Sequence, residues 1–278
     1  MNLSTEVKQA QMLYTIFMRD RLSERILYGG LSILLVWGLW ELLGRTDLMA
    51  AKIFPPPSQF IQSMSSGFKL GLASQTTEIH TAILASVWRV TMGLTLGFFA
   101  SVAVGCGLAV SGKFRLCVMP LLSLLAPVAP VAWIPLALVM FGLGNGSAVF
   151  IVFMGVFFTL TIGCVEAVAQ VSTRRLEVAA LSGATPWQTW WFVVVPSILP
   201  AVFSSLRLNF VAAWMAVLAA EMTGLRDGLG AIIMTGRNLF DNRMILLGMF
   251  LIGVTGFVCD QALRFIQRKV LWWPSNRE

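Results

Sequence analysis

Five stretches without a charged side chain run through this chain: Ile26 to Trp40, Val90 to Val110, Leu116 to Phe141, Ala148 to Val165 and Ile245 to Val258. A helix needs roughly 20 mostly apolar residues to cross the hydrocarbon core of a bilayer. The three middle runs meet that need directly, and the first and last meet it with their amphipathic flanks. At 278 residues, 57% hydrophobic and 12% charged, the chain is too apolar for a soluble globular domain. An all-α integral membrane protein of about six transmembrane helices follows. A retained membrane helix is expected at 26–43, since the polar segment before it is followed by no small-residue cleavage site.

The formal net charge of +7 invites a nucleic-acid or anion reading, but its distribution has a simpler origin. With six spans and a cytoplasmic N-terminus, the cytoplasmic side holds Lys8, Arg19, Arg21, Arg25, Lys113, Arg115, Arg174, Arg175, Arg264, Arg268, Lys269 and Arg277. The opposite side holds Arg45, Lys52, Lys69, Arg226, Arg237 and Arg243, leaving Arg89 and Arg207 in or near spans. Twelve against six is the inside excess of a multi-pass membrane protein with both termini cytoplasmic. No nucleic-acid partner is implied; membrane lipid is. Cys106, Cys117, Cys164 and Cys259 have no paired spacing, and His80 has no evident ligand companion, so no metal site is expected. There is no phosphate-binding loop and no nucleophile–base or paired-carboxylate constellation. The chain is therefore not expected to be an enzyme, and it carries no cofactor of its own.

Punctuation divides the chain into a cytoplasmic segment (1–25), the first helix (26–43), an external proline-containing segment (44–80), a transmembrane core (81–268) and a cytoplasmic tail (269–278). A second amphipathic run, 59–71, has the pattern of a surface helix. Within the core, Gly93, Gly97, Ser101, Gly105 and Ala109 recur every fourth residue, a ridge that lets another helix approach closely. Pro120, Pro127, Pro130 and Pro135 make a straight third span implausible. Residues 126–135, with Trp133, are either the wall of a pathway or a kinked span. The fifth span, about 193–220, carries Arg207, Asn209 and Trp214 and ends at Glu221. Intramembrane polar groups face inward, paired or wetted. Arg207 and Glu221 stand about 21 Å apart along one helix, so each needs another partner. For Glu221, an anchor to the external loop and a place in the pathway remain open. For Arg89, an ion pair and snorkelling to an interface do.

The loop 171–192 between the fourth and fifth spans has its own chemistry. Residues 174–181 form a short helix with Leu176, Ala179 and Ala180 on one side and Arg174, Arg175 and Glu177 exposed. Gly183 permits a sharp turn at positive φ. Thr185 is placed as N-cap, Pro186 at the first helical position and Gln188 to complete a capping box. Trp187, Trp190 and Trp191 fall where interfacial aromatics anchor. The expectation is a rigid, L-shaped helix pair along the membrane surface.

EVAALSGATPWQTWWFVVVPSILP, residues 177 to 200, resembles the EAA loop of ABC importer permeases of the type I, MetI-like fold. Acid, glycine, prolines and the downstream Arg207 sit at that family's offsets, and Val178 departs from a common alanine. APVAPVAWIPLALVMFGLGNGS and LNFVAAWMAVLAAEM are similar to the third and fifth spans of its nitrate/sulfonate/taurine branch. The resemblance implies ATPase coupling through Glu177, Ala179, Ala180, Gly183, Ala184 and Pro186. It implies a pathway lined by Trp133, Asn209, Trp214 and Glu221. The partners it implies are ABC ATPase subunits, which would bind ATP and magnesium, a second permease copy, and a periplasmic or lipid-anchored solute-binding protein. The expected activity is import of a small oxyanion (organic sulfonate, nitrate, bicarbonate) across the bacterial cytoplasmic membrane by alternating access. Import of an uncharged heterocyclic precursor is the alternative, and a secondary transporter or channel the reading from another class.

Overall fold

The computed structural model describes residues 27–32, 34–45, 56–58 and 79–271. The chain divides into two units, Met1–Phe68 and Lys69–Glu278. In the first, helix α1 (Leu27–Arg45) is long and apolar enough to span a membrane. Its last turn is closed by Glu41, whose carboxylate accepts from Arg45 Nε at 2.8 Å, the Ser58 N–H at 3.1 Å and Ser58 Oγ at 2.7 Å. Pro56 to Ser58 are thus held against the end of this helix. The amphipathic run 59–71 lies outside the described residues.

The second unit is a helix bundle: α2 (Ile79–Val110), α3 (Gly112–Leu125), a 3-10 turn (Pro130–Trp133), α4 (Ile134–Phe141), α5 (Asn145–Ala169), α6 (Thr173–Leu181), α7 (Pro186–Thr189), a π turn (Trp190–Val194), α8 (Val195–Met222), α9 (Leu229–Asn238) and α10 (Asn242–Val270). No strand occurs among the described residues. Among the described residues five helices are long and apolar enough to cross a membrane, or six if the bent pair α3 and α4 counts as one span. Helix α5 is the core, half buried along its apolar window, with α2 along one side and α8 along another.

The small-residue ridge explains the closest of these contacts. A Cβ added at Gly97 would sit 3.2 Å from Val156 Cγ1, and one at Gly105 2.7 Å from Cys164 Cβ. Between them Ser101 Oγ donates to the Phe157 carbonyl of α5 at 3.0 Å. Larger side chains would push α2 off α5, and with it the dispersion contacts that replace a hydrophobic drive inside lipid.

The proline-rich third region bends by 96°. Pro120 is absorbed inside α3, and the break falls at 126–129, between Pro127 and Pro130. Pro130 leans on Gly155 of α5, where an added Cβ would meet its ring at 2.8 Å.

Two features differ from the sequence expectation. The second arm of the loop does not lie apart from the fifth span: Pro186 to Met222 runs as one 37-residue helical rod. Pro196 should interrupt it, because its ring clashes with the carbonyl four residues back. That carbonyl belongs to Phe192, inside the π turn, where the wider register makes room. The second difference is α9, a helix inside a stretch read as an external segment. It ends in a Schellman motif, with Asp241 N–H donating to the Gly236 carbonyl at 2.9 Å and Phe240 N–H to Arg237 at 3.2 Å. Phe240, at φ 55°, occupies the left-handed position that usually calls for glycine, which hides the stop signal.

Candidate functional site

The loop is built as a chain of caps. Helix α6 closes with its own Schellman motif: Gly183 N–H donates to the Ala180 carbonyl at 3.0 Å and Ala184 N–H to Ala179 at 3.1 Å. Gly183 takes φ +73° to do so. Thr185 then starts α7 with a complete capping box, Gln188 N–H donating to Thr185 Oγ1 at 3.3 Å and Thr185 N–H to Gln188 Oε1 at 2.8 Å. Arg175 Nη1 ties α6 to α8 by donating to Ser197 Oγ at 3.2 Å.

The faces differ in part from expectation. Ala179 is buried and Leu176 half-buried, but Ala180 is exposed, as are Val178, Leu181, Trp187 and Phe192. Helix α6 is buried along a narrow strip that takes in Leu176 and Ala179 and leaves Ala180 outside it. Glu177 is exposed and makes no ion pair among the described residues. The loop therefore presents apolar side chains and one acid on a frame held by backbone hydrogen bonds.

The four candidate pathway residues do not converge on one site. Trp133 stacks on Phe158 of α5 with ring centroids 6.0 Å apart. Asn209 meets the next residue of α5: Thr159 Oγ1 donates to its amide oxygen, while its amide nitrogen donates to the Ser205 carbonyl at 2.9 Å. Trp214 is buried against Gly256 of α10, where a Cβ would sit 2.9 Å from Nε1. It lines an apolar groove of about 370 Å³ between α2, α8 and α10, with Leu94, Phe98, Phe210 and Leu263. Glu221 is fully buried at the α9 end of the bundle.

Glu221 is the acceptor of a polar knot. Ser86 Oγ donates to it at 2.7 Å, Arg89 Nη1 at 2.9 Å and the Gly230 N–H at 2.9 Å. Arg89 also donates through Nε to Asn145 Oδ1 at 2.7 Å, and to Asp227 through its carbonyl at 3.0 Å and its carboxylate. Ser86 Oγ accepts from the Leu229 N–H at 2.9 Å. The knot thereby joins α2, α5, α8 and α9. Arg89 is 1% exposed, so of its two open readings the internal ion pair is the one observed.

A second ionic cluster, absent from the sequence reading, lies between α8 and α10. Asp260 accepts from Arg207 Nε at 2.8 Å and Nη2 at 3.4 Å, and from Arg264 Nε at 2.9 Å. The available signal was one acid inside an apolar run, four residues before an arginine. It needed the depth of Arg207 on another helix to acquire meaning.

Known proteins fall in line with this architecture. The family profile described as binding-protein-dependent transport system inner membrane component matches residues 93–272. The taurine transport system permease protein TauC of Escherichia coli (strain K12) is 27% identical, the match covering 89% of each chain. The bicarbonate transport system permease protein CmpB of Synechocystis is 28% identical, covering 88% of this chain and 87% of its own. Among solved structures, an inward-facing MetNI methionine ABC transporter chain superposes with a TM-score of 0.55 at 19% identity, over 68% of this chain and 95% of that one.

Proposed function

The chain belongs to the family of binding-protein-dependent transport system inner membrane components, and from that premise we propose that it imports a small oxyanion, an organosulfonate, nitrate or bicarbonate among the options. The observation that carries this reading is the similarity to taurine and bicarbonate permeases over 89% and 88% of the chain. In this reading the membrane subunit itself catalyses nothing. Separate ATPase subunits bind ATP and magnesium, a second copy completes the pathway, and a periplasmic or lipid-anchored protein delivers the solute.

The α6–α7 loop is the ATPase contact, with Glu177, Ala179, Ala180, Gly183, Ala184 and Pro186 as its frame. Two properties support that role. Its exposed Val178, Leu181 and Trp187 are apolar side chains at the loop end of the bundle, available to a cleft. The unbroken rod from Pro186 to Met222 would carry a push on α7 straight into the fifth span. Alternating access then follows from the differential stability of two cavity orientations with nucleotide bound or released. In this reading the loop and both termini lie in the cytoplasm, and the basic excess on that side supports it.

Two measurements on the reconstituted transporter test this. Taurine, methanesulfonate, nitrate or bicarbonate, presented by the cognate binding protein, should stimulate ATP hydrolysis. Stimulation by uncharged solutes alone would overturn the oxyanion assignment. Gly183→Pro removes an N–H donor and forbids the observed φ, a strain of about 3 kcal/mol, and should uncouple hydrolysis from transport in a chain that still inserts. Wild-type coupling in that variant would overturn the docking role.

A further inference from the structure

We propose that Arg207, within the membrane, and Arg264, at the membrane's edge, form an oxyanion-receiving site, with Asp260 as the clamp that holds both guanidiniums in place. The proposal rests on the importer reading and names where a sulfonate or carbonate group would be met on its way through.

Depth is the first support. Arg207 lies twelve residues beyond Val195 and fifteen before Met222, so about 18 Å and 22 Å from the ends of α8 at 1.5 Å per residue. A helix of that length, about 42 Å, overruns a hydrocarbon core of about 30 Å at both ends. Centred in that core, Arg207 is about 12 Å inside it, deeper than a side chain snorkels. Asp260 and Arg264 lie ten and six residues before Val270, about 15 Å and 9 Å from the end of α10, so by the same centring Asp260 is about 8 Å inside the core and Arg264 reaches the cluster from its edge.

Accessibility is the second. Despite the depth of Arg207 and Asp260, their side chains are 39% and 19% exposed, and Arg264 beside them is 41% exposed. A charge open to acyl chains is costly, and such residues face a bundle interior or a water-filled cavity. The face of α8 that carries Arg207 also presents Ser204, Leu208 and Val211. That face must therefore look onto water, solute or protein.

Unused bonding capacity is the third. A guanidinium has five N–H donors. Arg207 commits two of them to Asp260 and Arg264 one, and no other acceptor takes the rest among the described residues. Two cations on one carboxylate leave a net charge of +1. A planar fork with spare donors and surplus positive charge fits a flat or tetrahedral oxyanion and offers an uncharged solute little.

The test uses the complete transporter in lipid nanodiscs, with Cys106, Cys117, Cys164 and Cys259 replaced and Val211→Cys added one turn from Arg207. The probes are the anionic 2-sulfonatoethyl and the cationic 2-(trimethylammonio)ethyl methanethiosulfonates, each rate normalised to that with free 2-mercaptoethanol. The anionic reagent should react at least about tenfold faster, the combined effect on two oppositely charged probes of one net charge about 6 Å away even at the dielectric of water. Methanesulfonate should protect, and Arg207→Gln or Arg264→Gln should bring the ratio near unity. Arg207→Lys should keep most of the preference, which guards against a folding artefact. Reaction with neither reagent in any nucleotide state would overturn the site. So would fast reaction without charge preference, which would leave the importer reading intact, since solute-stimulated ATP hydrolysis judges that separately. A preference present in phosphatidylcholine discs but abolished by phosphatidylglycerol would assign the cluster to lipid headgroups and overturn it too.

Discussion

Helix α8 carries two charged residues fourteen positions apart, and the protein treats them in opposite ways. At one end Glu221 is sealed with Arg89, every nitrogen of the guanidinium engaged and the carboxylate accepting from three donors. Near the middle Arg207 shares Asp260 with a second arginine and keeps donors to spare. Desolvating an ion is costly, and the cost is offset when geometry and added hydrogen bonds satisfy every lone pair and proton. The Arg89 knot comes close to that condition, with four of the five Arg89 N–H donors engaged, and so fastens four helices at one end of the bundle. The Arg207 cluster leaves it unmet and so stays receptive. Completeness of satisfaction separates a joint from a site more sharply than charge does.

The largest expected effect breaks the first half of that contrast. Glu221→Ala leaves Arg89, at 1% exposure, with only the half-exposed Asp227 as ionic partner and takes the acceptor from Ser86 and the Gly230 N–H, and removing one partner of a buried pair costs about 3–5 kcal/mol. Asp260→Ala removes a carboxylate whose partners are partly solvated, where exposed pairs contribute about 0–1 kcal/mol. Thermal unfolding of purified protein, followed by size-exclusion chromatography, should rank the Glu221 variant far below the Asp260 variant. Equal losses would mean that the two clusters do not differ in kind.

A double substitution sharpens the same point. If the cost of Glu221→Ala comes from the lost ion pair, then Arg89→Leu with Glu221→Leu should recover about 0.5–3 kcal/mol over the single loss, a coupling of the size seen for residues in one network. Additive losses would instead point to shape alone. Gly230 and Gly228 pack directly on Glu221, so full recovery is not expected.

The membrane class, the broken third region, the glycine ridge and the caps around Gly183 and Thr185 were legible because each rests on local signals: apolar run length, proline sterics, four-residue spacing, turn chemistry. Helix α9 was not, since its stop uses Phe240 in place of glycine. The continuity of α7 with α8 was not either, because sequence signals mark Pro196 as a breaker and cannot announce a π turn that accommodates it. Ion partners were the least legible. The sequence demanded partners for Arg207 and Glu221, but Asp260 and Arg89 lie 53 and 132 residues away and are chosen by packing.

Asn209 stands between the two clusters on α8 and tests which of them it resembles. Its amide is engaged on both sides, by Thr159 across the helix interface and by Ser205 within α8. That satisfaction is of the Arg89 kind, on a smaller scale. The position is half-buried, however, and lies two residues from Arg207. If the amide is a joint, Asn209→Leu with Thr159→Val should reveal a coupling of about 0.6–2 kcal/mol, the range for interhelical hydrogen bonds in membranes. Asn209→Cys should then be equally protected from a small aqueous thiol reagent in the nucleotide-free and ATP-trapped states. If Asn209 lines the pathway, as its place beside Arg207 allows, the coupling should be near zero and the cysteine should react in one nucleotide state and not the other. The hydrogen bond to Thr159 would then exist in one orientation of the cavity and be exchanged for water or solute in the other. Protection that changes with nucleotide while the coupling stays large would place the bond itself among the contacts broken during transport.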